Sequence, residues 1–354
     1  HLPYIGANYN AVYPFRTSVL FTDSLPLAAL FFKLLGGILP TRFQYFGWWG
    51  LLCYALQGGL AQAVIARIAG VQPTFGRDDK SKAAIAIIMS PGQTAKLWGS
   101  VLGAGVLVLF PALTIRMFAH TALAANWLVL LALYLWLRSD ELMPTTRSAC
   151  LIWGGVGLLC AGIHLYYLPM VGLVLVGYAV RRTLQKRGFA AAILPVAAFC
   201  VTALAELLLL GAFAVNFAGY SNGYLSGADY FGLFVPWLAQ SWEQNVYAGV
   251  GTSLAVVLAM FGIVCNARKA EKFFAAHRDW LIAGAVVLVL DLIAAGGNAI
   301  TVNGKTLFTV PIPQLLMNFW AMFSSCARLA WLAGWLPLAA GWCCAFGITV
   351  SRLP

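Results

Sequence analysis

The sequence predicts an all-α, polytopic integral membrane protein with about nine transmembrane helices. Hydrophobic residues fill 62% of its 354 positions, only 9% are charged, and the mean hydropathy is +0.84. A water-soluble domain of this size needs far more charge on its surface. Apolar runs long enough to cross roughly 30 Å of hydrocarbon recur along the chain, and in lipid only helices or closed barrels satisfy every backbone group. The runs are too long and too continuous for barrel strands, which leaves helices.

In order, the runs lie at about 44–66, 95–113, 121–137, 149–163, 168–180, 190–213, 248–266, 279–297 and 329–350. Two domains follow: residues 1–42, a first external loop, and residues 43–354, the helical bundle, with external loops near 114–120, 164–169, 214–247 and 298–328. Within the first loop, SLPLAALFFKLLGG at 24–37 is interrupted by Lys33 and bounded by Pro40, so it reads as a helix lying at the interface rather than a span. The runs 149–163 and 168–180 are short and meet at HLYYLP, 164–169. One long helix kinked at Pro169 is the alternative, but Arg147 and the pair Arg181 and Arg182 put both outer ends on one side and favour a hairpin.

Orientation comes from the basic residues. Of the 22 Lys and Arg, sixteen fall in one set of loops (among them Arg67, Lys96, Arg138, Arg147, Arg181, Arg182, Arg268 and Lys272). Six fall in the other: Arg16, Lys33, Arg42, Arg116, Lys305 and Arg328. The poor set belongs outside the cytoplasm. This topology asks for one more crossing upstream of His1, and no signal peptide follows His1.

The net charge of +11 is spread along the topology, with no aromatic-interleaved basic patch, and predicts no nucleic-acid partner. The eight cysteines lie mostly inside apolar runs, without CxxC spacing, and read as small buried hydrophobes. No GxxxxGK[ST], HExxH or GxSxG motif is present, and glycine-rich places such as GVGLL and GAGV read as helix contacts.

Against this background a few polar groups on the external side stand out. Arg116 and His120 fall in a tight turn between two runs, four residues apart, and share a face if the turn stays helical. Either Arg116 snorkels to headgroups and His120 caps a helix, or the two form an anion site in which a guanidinium grips phosphate and an imidazole adds a hydrogen bond or a proton. Other external groups are Asp23 in FTDSLPL, His164, Tyr166 and Tyr167 in HLYYLP, Tyr224, Trp242, Glu243 and Tyr247 in the long loop, Asn298 in GGNAITVNG, and Arg328 in SSCARLAW. Two acids, Glu206 and Asp291, lie nearer the middle of runs, where a transporter would keep a proton pathway and where a neighbouring helix could equally well hold them neutral.

Several strings together resemble a known pattern: LFTDSLPLAALFFK, FQYFGWWGLLCYALQG, RMFAHTALAANWLVLLALYL, IHLYYLPMV and FSSCARLAWLAGW, in this order over residues 20 to 340 or so. They resemble an uncharacterised family of bacterial polytopic membrane proteins related to the GT-C superfamily of membrane glycosyltransferases. The resemblance implies a GT-C-like bundle with interfacial helices in the first external loop and a site on the outer, periplasmic face of the bacterial inner membrane. It also implies transfer of a sugar from a polyprenyl-phosphate donor to an acceptor, with membrane lipids around the bundle. Such a transfer needs a general base for the acceptor hydroxyl and positive charge for the departing lipid phosphate.

Carried onto this chain, Asp23 or Glu243 is the base, with a carboxylate upstream of His1 as the alternative. His120 is the hydrogen-bond donor or proton shuttle, and Arg116 and Arg328 hold the donor phosphate. His164, Tyr166, Tyr167, Tyr224, Trp242, Tyr247 and Asn298 contact sugar or lipid. Ala327 stands where the relatives tend to show glycine. GT-C members differ in needing a divalent metal; no metal ligand set is assigned. A transporter or flippase using Glu206 and Asp291, and a non-catalytic assembly subunit, are the rival expectations.

Overall fold

The structure, a computed structural model, describes residues 5–8, 17–40, 43–71, 74–77, 85–88, 91–213, 227–233, 235, 246–247, 249–265, 267–314, 317, 320, 323 and 325–334. It is mostly helical. In chain order the helices are α1 (Pro26–Leu34), α2 (Phe46–Ile68), α3 (Pro91–Val108), α4 (Pro111–Ala119), α5 (Trp127–Leu137), α6 (Ser139–Leu142), α7 (Thr146–Ile163), α8 (Tyr167–Leu184), α9 (Phe189–Leu209), α10 (Val250–Cys265), α11 (Ala267–Ala276) and α12 (Arg278–Gly296). Three two-stranded antiparallel hairpins join them: β1 (Ala7–Asn8) with β2 (Thr17–Ser18), β3 (Thr74–Arg77) with β4 (Ile85–Ile88), and β5 (Ala299–Val302) with β6 (Lys305–Thr309).

Among the described residues, five stretches are helical, long and apolar enough to cross a membrane: α2, the run Pro91–Ala119 formed by α3 and α4, α7, α9 and α12. This marks a membrane protein and corrects the expectation of nine crossings of full length. The run 121–137 divides into a 3-10 turn at Thr121–Ala124 and the 11-residue α5, because Ala125 and Asn126 break the helix between them. The run 248–266 yields only the 16 residues of α10, and α8 closes its last turn on Arg181 and Arg182. Most of 329–350 lies outside the described residues.

Helix α7 starts on a capping box, Thr145 accepting from the Ser148 backbone while the Ser148 hydroxyl returns to Thr145. It packs on α9 through small residues that let the backbones close in. The Thr202 hydroxyl on α9 donates to the Gly154 carbonyl at 2.8 Å, and Gly157 faces the Phe199 carbonyl directly. α5 is buried almost all round and forms the middle of the core, with Trp127, Leu128, Leu130 and Trp136 packed inward.

At one end of the bundle, the chain before α1 is tied to the last carbonyls of α9. The Ile5 amide donates to Leu209 at 2.9 Å and the Ser18 hydroxyl to Leu210 at 2.6 Å, which satisfies acceptors that a helix end leaves open. At the other end, Arg181 and Arg182 are buried. Arg181 pairs with Asp140 at 2.7 Å and with Asp279 at 3.0 Å, and its guanidinium stacks 3.7 Å from the Trp280 ring. Arg182 reaches Asp140 at 2.7 Å and the Ser139 carbonyl at 3.0 Å. This charged knot joins α6, α8 and α12.

Candidate functional site

Four segments far apart in sequence meet at the end of the bundle opposite the knot. The first is the link between a 3-10 turn at Val19–Phe21 and α1, which carries Asp23. The Thr22 and Ser24 hydroxyls both donate to the Val19 carbonyl and fold this link tightly. The second is the turn after α4. Helix α4 ends at Ala119, and His120 leaves it with extended-side dihedrals (φ −138°, ψ 77°). The expectation that Arg116 and His120 share one helical face is therefore corrected: Arg116 stays in the last helical turn and is buried, while His120 turns out toward Asp23.

The Asp23 carboxylate accepts from the Ala122 amide at 3.3 Å, and its other oxygen lies 3.7 Å from His120 Nδ1. Both side chains are about one-third exposed. The turn that carries His120 is fixed from two sides: Trp49 Nε1 on α2 donates to the Thr121 carbonyl at 3.0 Å, and the Tyr167 hydroxyl on α8 donates to the Leu123 carbonyl at 2.6 Å.

The third segment, between α7 and α8, carries His164, Tyr166 and Tyr167. His164 Nδ1 accepts from the Tyr166 amide at 3.3 Å. Burial, with the positive charges of Arg328 and His120 added to it, pushes the His164 imidazole down to about 3 from its ordinary value. Tyr166 and Tyr167 are core residues, which corrects the expectation that their rings face sugar or lipid. Tyr167 is fully covered and spends its hydroxyl on Leu123. The Tyr166 ring lies between Arg328 and Phe323, and its hydroxyl accepts from the Ser325 amide at 3.0 Å.

The fourth segment is the 3-10 turn Cys326–Ala330, with Arg328 and the following Trp331. The Arg328 guanidinium lies 4.8 Å from the Tyr166 ring centre, and that of Arg116 lies 5.7 Å from the Trp331 ring centre. Both arginines are more than nine-tenths covered, so their charge acts from beneath the surface. Trp49 and Trp331 complete the site and carry no expectation from the sequence, although both stand inside the quoted strings FGWWG and ARLAW.

Asp291 is fully buried on α12, and its Oδ2 accepts from the Ala333 amide at 2.9 Å, which ties the Arg328 segment to that helix. Glu206 is buried near the end of α9, where Gly162 of α7 and Leu27 of α1 face it. Asn298 sits at the base of the β5–β6 hairpin, where its carbonyl accepts from the Val310 amide at 2.7 Å. Tyr247 is half-buried just before α10. Tyr224, Trp242 and Glu243 lie outside the described residues.

Sequence reasoning missed a second polar centre, Asp229. This buried carboxylate accepts from the amides of Phe231 and Asn303 at 3.0 Å and is bonded to Gly304 at 2.6 Å. Asn303 and Gly304 form the two-residue turn of the β5–β6 hairpin, both with positive φ (51° and 73°). The signal was present as an acid in a charge-poor loop followed at distance by an Asn-Gly turn.

Over residues 1–352 the chain matches the family described as Domain of unknown function (DUF6311). It belongs to that family. No curated protein and no solved structure is similar to this DUF6311 chain. Among its described residues no three His, Cys, Asp or Glu side chains come together as metal ligands. Its candidate chemistry centres on a partly exposed carboxylate and imidazole, with two covered guanidiniums on the segments that meet them. Such a set can accept or relay a proton at Asp23 and His120 and can stabilise negative charge brought up to them.

Proposed function

We propose that this chain is a membrane glycosyltransferase that moves a sugar from a polyprenyl-phosphate donor to an acceptor on the outer side of the membrane. The observation that carries the reading is the meeting of Asp23, His120, His164, Arg116 and Arg328 from four distant segments, with steps of 3.7 to 5.7 Å between pair members and aromatic rings. A base and a leaving-group stabiliser must reach one reacting centre, and these segments carry one of each.

In this reading Asp23, oriented by the Ala122 amide and beside His120, takes the acceptor proton. Arg116 and Arg328 act through the low-dielectric interior on the phosphate that leaves. The bundle is a GT-C-like one in the bacterial inner membrane with this end facing the periplasm.

Lipids that co-purify with wild type in mild detergent, compared by mass spectrometry with those on an Arg116→Ala, Arg328→Ala double variant, test the reading. A polyprenyl phosphate or its sugar conjugate is expected on wild type and lost from the variant. Asp23→Asn, which leaves the arginines in place, is expected to keep the lipid and lose transfer. Bulk phospholipid alone on wild type sinks the donor assignment, whichever way the variants fold.

A further inference from the structure

Helix α11 has no part in the site above, yet its placement constrains what it can touch. One residue separates it from α10 and one from α12, a helix of spanning length, so both of its ends are held to apolar helices. Ten residues at 1.5 Å each carry it only about 15 Å along that boundary. A helix this short is marginal in water on its own and needs a surface against which to form.

The sequence ARKAEKFFAA supplies two unlike faces. At 100° per residue, Ala267, Ala270, Phe273 and Phe274 fall together, and Arg268 and Lys272 fall opposite them with Lys269 alongside. Phe273 and Phe274 are 49% and 40% exposed, so the rest of the described chain leaves the apolar face open. His277 extends that face by stacking on Phe273 with ring centres 4.4 Å apart. Glu271 is the single acid against Arg268, Lys269, Lys272 and the adjoining Arg278, because Asp279 is taken up by Arg181.

We propose that α11 is a membrane-surface anchor that binds anionic lipid headgroups, with its phenylalanine side seated at the acyl boundary. Apolar rings facing inward and lysines and arginines reaching up to phosphate are the pattern of a helix lying in the interface. Basic residues near an anionic leaflet add attraction residue by residue, which a neutral leaflet does not supply.

The test is hydrogen exchange of the peptide covering residues 266–278, with the full chain in nanodiscs of phosphatidylcholine alone or mixed with phosphatidylglycerol. Exchange is expected to be about tenfold slower in the anionic discs. Replacing Arg268, Lys269 and Lys272 by Gln should abolish the difference between the two discs. Phe273→Ser with Phe274→Ser should speed exchange in both, while α7 stays protected and reports an intact fold. Equal exchange of wild type in the two lipids overturns the proposal. So does fast exchange in both discs, which would leave the face for a soluble acidic partner.

Discussion

Gly157→Ala is expected to destabilise the bundle, while Gly155→Ala, two residues away on the same helix, is not. A Cβ at 157 would stand 2.5 Å from the Phe199 carbonyl oxygen, 2.7 Å from Thr202 Oγ1 and 3.2 Å from Phe199 Cα; at 155 it would meet nothing within 4 Å. Carbon contacts are comfortable at about 3.5–4.0 Å, so α7 and α9 would have to part by about 1 Å. That movement takes the 2.8 Å bond from Thr202 to the Gly154 carbonyl out of hydrogen-bonding range. Overpacking costs about 1–3 kcal/mol and the lost bond about 0.6–1 kcal/mol, while both variants gain up to about 1 kcal/mol of helix propensity. The two variants should therefore differ by about 2–4 kcal/mol. Thermal unfolding in detergent, followed through the 13 tryptophans, reads this as separated midpoints. Equal midpoints would refute the close approach of the two backbones.

Acid should destabilise the protein in two windows. His164 is held down to about 3, whereas the unfolded chain takes up its proton near the ordinary 6.5; the unfolded state therefore binds more protons between these values, and stability falls as pH drops through them. At Asp140, burial raises the carboxyl but Arg181 and Arg182 outweigh it and leave it below the ordinary 3.8, so its contribution is complete above that value and is lost as pH falls through the folded one. A melting midpoint that stays flat from pH 6.5 to 4 contradicts the first, and a His164→Gln variant should flatten that stretch. Asp291→Leu should strand the buried Ala333 amide at a cost of about 1–3 kcal/mol and loosen residues 326–334 in hydrogen exchange, with Asp291→Asn milder because it keeps an acceptor.

The sequence made the polar members of the site visible because so little else on that side is charged. Arg116, His120, HLYYLP and Arg328 each stand alone in apolar surroundings. Their meeting was not legible, because it depends on which helices pack together. The burial of Arg116 and Arg328 was hidden for the same reason, since a guanidinium at a helix end looks alike in sequence whether it snorkels outward or stacks on Trp331 or Tyr166. Tyr167 shows the reverse error: an aromatic in a loop string became core when α8 began on it. Arg181 and Arg182 counted only as topological charges, because their partner Asp140 is some forty residues away and reaches them through tertiary packing alone. The run 121–137 looked continuous because hydropathy does not register the break at Ala125 and Asn126.

The charged knot of Arg181, Arg182, Asp140 and Asp279 also bears on how the bundle can breathe. Tyr167 at one end of α8 and Arg181 at the other are separated by fourteen residues, about 21 Å of helix. Helices riveted together at one extremity resist sliding past each other, so the knot is the pivot for any tilt between α8 and α12. A small tilt at the pivot is magnified by the length of the lever.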